Sequence, residues 1–177
     1  FDMPFYILNK SKSDNKKVNV YCSKEGKRKI YKIGKLAFPN SFKEACIATN
    51  LSYNFNDSFM INLYKVNKLL VDHGRMKPAY GYIFNVNEKY VGFTGDTALC
   101  KNVEMMSEKC SYLFCDCMLI KGHKKHMGID NIKYLTNKYK TCIFVVSHLD
   151  DETRELLKEL NIKNVIVPDD GEEFTIN

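Results

Sequence analysis

Tyr90-Val91-Gly92-Phe93-Thr94-Gly95-Asp96-Thr97 is the stretch that decides how this chain reads. A short apolar strand runs into a Thr-Gly-Asp-Thr turn and leaves one carboxylate at the strand's C-terminal end. Open α/β sheets keep their ligands and their chemistry at that edge. Asp96 there can bridge metal ions, or it can simply cap the next helix. The chain has four histidines, and two of them bear on the choice. His73 follows the apolar strand Leu69-Leu70-Val71-Asp72, and His148 follows Ile143-Phe144-Val145-Val146-Ser147. Imidazole and carboxylate form the donor set of zinc and related divalent ions. A lone histidine at a strand end is ordinarily a capping or core residue. Three metal-competent side chains in the same topological position make a stronger signal.

Working outward, the pattern is α/β. Pro4 to Asn9 reads as the tail of a short helix, and Val18 to Cys22 alternates like a strand. Lys24 to Leu36 is a basic amphipathic helix, with Ile30, Ile33 and Leu36 at helical spacing. Pro39-Asn40-Ser41 breaks the chain and starts a second helix through Cys46. Residues 47–97 read as an antiparallel meander, with strands at Leu51 to Phe55, Phe59 to Val66, Leu69 to Asp72, Ala79 to Val86 and Tyr90 to Thr94. Asn56-Asp57, Asn67-Lys68 and Asn87-Glu88 supply the turns. Residues 98–177 alternate: helices at Asn102 to Lys109, Ile129 to Tyr139 and Asp151 to Leu160, and strands at Tyr112 to Cys117, Cys142 to Ser147, Asn164 to Val167 and Phe174 to Ile176. With 177 residues the expected organisation is one domain, its first 46 residues helical and basic.

The balance of 27 Lys and Arg against 21 Asp and Glu gives a net charge of +6. A mild basic excess favours polyanionic partners. The excess is concentrated between Lys10 and Lys35, where a phosphate-facing surface and a solvated helix face both remain open readings. Seven cysteines, an odd number without framework spacing, fit reduced thiols in a cytoplasmic protein. Cys115-Asp116-Cys117 has no second pair at finger spacing, so structural zinc is a weak reading. No stretch approaches the roughly 20 apolar residues that span a bilayer, so no membrane partner is expected.

The order of motifs resembles the metallo-β-lactamase superfamily, in its ribonuclease Z-like phosphodiesterase branch. The stretches that carry the resemblance are His73 through Pro78-Ala79-Tyr80-Gly81-Tyr82-Ile83-Phe84, then Phe93-Thr94-Gly95-Asp96-Thr97. Leu113-Phe114-Cys115-Asp116-Cys117 follows, then Gly122-His123-Lys124-Lys125-His126-Met127 and Val145-Val146-Ser147-His148-Leu149. The resemblance implies a four-layer αβ/βα sandwich and metal-assisted hydrolysis at a pair of divalent ions, zinc being the expected metal. On it, His73, Asp96 and His148 match metal ligands, Asp96 the one that bridges both ions. His126 matches the loop histidine that assists catalysis, and His123 competes for that role. Asp116, Ser147 and Thr97 are supporting or alternative positions.

Two departures stand out. That branch has a glutamate directly after the loop histidine, where this chain has Met127, and its acidic strand end has become Cys115-Asp116-Cys117. The family's His-x-His-x-Asp-His motif, which holds the remaining ligands, is absent from these residues. The chain is therefore expected to be a partial sandwich lacking its N-terminal β-half, and nearly inactive by itself. Its partners would be a phosphate ester, RNA or a nucleotide, together with a second copy or a complementing N-terminal half. The alternative is a non-catalytic member of the same fold that binds a partner.

Overall fold

The computed structural model describes residues 2–13, 17–173 and 175–176. They fall into two compact units, residues 1–56 and residues 57–177.

In the first unit, helix α1 (Met3–Lys10) precedes strand β1 (Asn19–Tyr21), helix α2 (Lys24–Ala37), helix α3 (Phe42–Ala48) and strand β2 (Ser52–Asn54). Ser23 starts α2 by accepting the Gly26 amide at 2.9 Å, which satisfies one of the orphan donors of the first turn. Phe38 ends it, because the residue before a proline is pushed out of helical geometry. A small core of Ile7, Val18, Val20, Phe42 and Ala45 closes this unit. Gly34 makes the contact between helices: a Cβ there would lie 2.3 Å from the Phe42 ring. Strand β2 pairs in parallel with β1. The meander expected over residues 47–97 therefore loses its first strand, because the local alternation of Leu51 to Phe55 specifies a strand but not its partner.

The second unit is one seven-stranded sheet in chain order: β3 (Ser58–Ile61), β4 (Tyr64–Val71), β5 (Ala79–Val86), β6 (Lys89–Phe93), β7 (Tyr112–Asp116), β8 (Ile143–Ser147) and β9 (Val165–Ile166). Pairs from β3 to β6 are antiparallel. Pairs from β6 to β9 are parallel, with helices α4 (Lys101–Lys109), α5 (Ile129–Lys138) and α6 (Asp151–Leu160) as their crossovers. Parallel strands need such crossovers, and strands buried on both faces read as near-continuous apolar runs, as β7 and β8 do. Val103, Met106, Leu113, Ile132, Leu135, Phe144 and Leu157 form the main core. Each such fully buried side chain contributes about 1.5–3 kcal/mol.

The Asn87-Glu88 turn is present, with both residues at positive φ, as a tight hairpin requires. The expected break at Asn67-Lys68 is not. Strand β4 runs through it because Lys68, only 6% exposed, places its ammonium 3.2 Å from Asp57 and 4.7 Å from the centre of the Tyr80 ring. The chain turns instead between β3 and β4, where Asn62 takes a left-handed backbone. The expected strand from Phe174 to Ile176 includes Phe174, which lies outside the described residues. No helix among the described residues is long and apolar enough to cross a membrane.

Topology places the site. Strands β6, β7 and β8 point the same way, and β4, two antiparallel steps from β6, points with them. The C-terminal ends of all four therefore share one sheet edge.

Candidate metal centre

Each of those four strand ends delivers a candidate ligand. His73 leaves β4, Asp96 leaves β6, Asp116 closes β7 and His148 follows β8. His126 comes from the loop between β7 and α5. Its side chain lies between those of His73 and His148, each ring centre 5.0 Å from that of His126. His73, Asp96 and His126 form one group with ligand atoms within 4.8 Å of one another. Asp116, His126 and His148 form a second. Of the three side chains expected as ligands, Asp96 groups with His73 and its Oδ1 lies 3.1 Å from His148 Nδ1, while His73 and His148 fall in different groups.

The backbone at this edge is held in turns that most residues avoid. Gly95 (φ +60°) takes the left-handed conformation a glycine adopts freely and aims Asp96 outward. His148 takes the same conformation at φ 58°. For a residue with a side chain that conformation costs about 1–2 kcal/mol. Strain of this kind persists where the surrounding structure enforces it, and it concentrates at functional sites.

Asp116 is the buried anchor of the cluster. Its Oδ2 accepts the Thr97 amide at 2.9 Å and lies 2.8 Å from His126 Nδ1. Its Oδ1 accepts the Met118 amide at 3.2 Å. Burial raises its carboxyl above the ordinary 3.8, while the Thr97 amide and the His126 ring oppose the rise. The ionised carboxylate is acceptor-only, so His126 donates from Nδ1 and leaves Nε2 as its free nitrogen. The orienting carboxylate that Met127 cannot supply thus arrives from the neighbouring strand end. Two threonines brace the arrangement. The Thr94 hydroxyl accepts the Asp116 amide at 3.1 Å. The Thr97 hydroxyl accepts the Asp72 amide at 3.1 Å and ties the β6 loop to the end of β4.

The remaining candidates stand elsewhere. His123 is exposed, donates its amide to the His126 carbonyl at 2.8 Å and belongs to neither ligand group. The Ser147 hydroxyl is bonded to the Cys115 carbonyl at 3.2 Å. Cys115 and Cys117 are buried, burial pushes both thiols up, Cys117 to about 12, and neither belongs to a ligand group. Thr94 was not singled out in the sequence. A threonine beside an acidic turn is a common turn residue, and only its 0% exposure marks it.

No protein-family model matches the sequence, and no curated protein matches it. Solved structures do match. A diphosphatase of the PhnP family superposes with a TM-score of 0.67 at 20% identity, over 91% of this chain and 59% of its own. The metallo-β-lactamase fold protein YhfI from Bacillus subtilis gives 0.62 at 14% identity, over 84% and 58%. The short form of human tRNase Z gives 0.66 at 10% identity, over 99% and 73%. The chain has the metallo-β-lactamase fold. It spans 59% of the diphosphatase it matches. The strand-end cluster lies at the carboxyl edge of this metallo-β-lactamase-type sheet, where open α/β folds bind their ligands.

Proposed function

We propose that this chain supplies metal-holding strand ends and a proton-transferring histidine to a metal-dependent hydrolase of phosphate esters, with RNA or a nucleotide as the substrate class. One observation supports the reading most: His126 is held by the buried Asp116 between His73 and His148, two of the proposed ligands. The donors fit divalent ions in kind, all imidazole nitrogens and carboxylate oxygens, and fall into two groups that share His126. His73, Asp96 and His148 would hold them, and zinc suits the set. When bound, such an ion polarises a phosphoryl oxygen and lowers the pKa of water.

The chain's own residues have the other tasks. Asp116 holds the Nδ1–H of His126, so the ring presents Nε2 to the site and, when protonated, can give that proton to the leaving oxygen. Asp116 also steadies the positive charge on the ring. Thr94 and Thr97 hold Asp116 and the Asp96 turn in place. The Lys124-Lys125 segment lies against the turn after His73: a Cβ on Gly74 would sit 3.0 Å from Lys125 Cγ. These cations, with exposed Arg75 and Lys77, favour an anionic ester over a neutral one.

Zinc titration of the purified chain, followed calorimetrically, tests the reading. The chain should bind zinc, and Asp96→Ala, which removes a proposed ligand, should weaken binding at least tenfold. In the presence of zinc, a chromogenic phosphodiester should be cleaved in preference to a carboxylic ester. No zinc binding by the unaltered chain, or equal binding by the variant, sinks the proposal.

A further inference from the structure

Along helix α2, Lys24, Lys27, Arg28, Tyr31 and Lys32 recur at the i, i+3, i+4, i+7 and i+8 spacing that puts side chains on one helix face. Such a stripe is normally apolar and core-facing. Here it lines an open groove of about 490 Å³ whose remaining wall is Phe55. Among the described residues, four cations and two aromatic rings line the groove, and no carboxylate does. Like charges at i and i+4, as at Lys24–Arg28 and Arg28–Lys32, weaken a helix, whereas a face that is merely solvated gains from alternating signs. The rings are arranged as platforms. Phe55 stacks with Tyr53 at an interplanar angle of 10° and a centroid distance of 6.3 Å. Lys27 Nζ sits 4.9 Å above the Tyr53 ring, and Lys35 Nζ 5.1 Å from that of Tyr31, which is 39% exposed.

We infer that this groove binds single-stranded nucleic acid, the cations following the phosphates and the rings of Tyr31 and Phe55 receiving bases. A simple anion would use the lysines but not the rings. A duplex would offer phosphates but no free base faces. A single strand uses both, without sequence preference, because every base has a flat face. The inference rests on residues 1–56 alone and stands whether or not the metal centre is catalytic.

Fluorescence anisotropy with the full 177-residue chain tests it. The probes are labelled single strands of RNA and of DNA, about 12 nucleotides long to cover one groove, and a duplex of the same sequence. The chain should bind one or both single strands more tightly than the duplex. Lys27→Gln with Lys32→Gln, both at exposed positions, should weaken binding about tenfold and lower the slope of its salt dependence by about 1.4. Tyr31→Ala should weaken it several-fold and leave the salt dependence as it was. Binding is measured without added zinc, which separates this result from that of the zinc titration. Comparing the RNA and DNA strands identifies which polymer the groove prefers. The inference is overturned if the variants bind as tightly as the original chain. Equal duplex affinity with no effect of Tyr31→Ala overturns it too, as does binding to phosphatidylserine vesicles but to no oligonucleotide.

Discussion

The strand-end cluster of residues 57–177 and the α2 groove of residues 1–56 gather ionisable groups in opposite ways. In the cluster, imidazoles and carboxylates converge within hydrogen-bonding distance around a buried carboxylate, and backbone strain and two threonines fix their positions. In the groove, cations of one sign stand apart along a helix with aromatic rings between them. The first arrangement fixes nitrogen and oxygen atoms in a set geometry, which metal binding and proton transfer demand. The second leaves long, mobile cations free to follow a polymer's phosphates. The difference teaches that burial and paired signs mark chemistry in this molecule, and that exposure and repeated sign mark attraction.

The sharpest way to break this contrast is Asp116→Asn. An amide cannot both accept from His126 Nδ1 and keep its Thr97 and Met118 partners, so the ring loses its fixed orientation. Zinc-dependent cleavage of a chromogenic phosphodiester should fall about 10–100-fold, the usual cost of losing an orienting partner at such a site. Oligonucleotide binding should not change.

A smaller effect is expected from Gly34→Ala. The fully buried Phe42 ring occupies the space a methyl would need. Overpacking of this kind costs about 1–3 kcal/mol. Urea unfolding should show that loss, and weaker single-strand binding should accompany it while zinc affinity stays constant. Equal sensitivity of both activities would mean that the contrast between the two regions is not real.

The smallest effect sharpens the comparison through pH. Helix α2 is capped by Ser23, which does not titrate, and α6 by Asp150, which accepts the Thr153 amide at 2.8 Å. Those bonds from Thr153 hold the Asp150 carboxyl below its ordinary 3.8. Its folded pKa is depressed, so its stabilisation is present above 3.8 and is lost as pH falls through the folded value. Asp150→Ala should cost about 1 kcal/mol at neutral pH. Thermal unfolding followed from neutral to acid pH should show the difference from the unaltered chain shrinking toward zero. Ser23→Ala should cost a similar amount at every pH.

Much of this was legible in one dimension. The apolar runs of β6, β7 and β8, the Thr94-Gly95-Asp96-Thr97 turn and the histidines after β4 and β8 are local signals, because a strand end and a turn are specified by neighbours in sequence. The three expected ligands stand along one edge because the topology aligns the C-terminal ends of β4, β6 and β8 there. The partner of β2 was not legible, since strand pairing over tens of residues leaves no local mark. Lys68 misled for a related reason: a lysine reads as a turn until its carboxylate and ring partners are known.

The sequence by itself determined which side chains were available for chemistry and where along the strands they stood, because hydrophobic period and turn residues act through nearest neighbours. It also set the spacing that makes α2 a cationic stripe. Only the tertiary structure decided that Asp116 rather than a residue beside Met127 orients His126, that His123 stands apart, and that Phe55 closes the α2 groove. Those outcomes depend on distances between segments remote along the chain, which packing and strand register fix and local patterning cannot express.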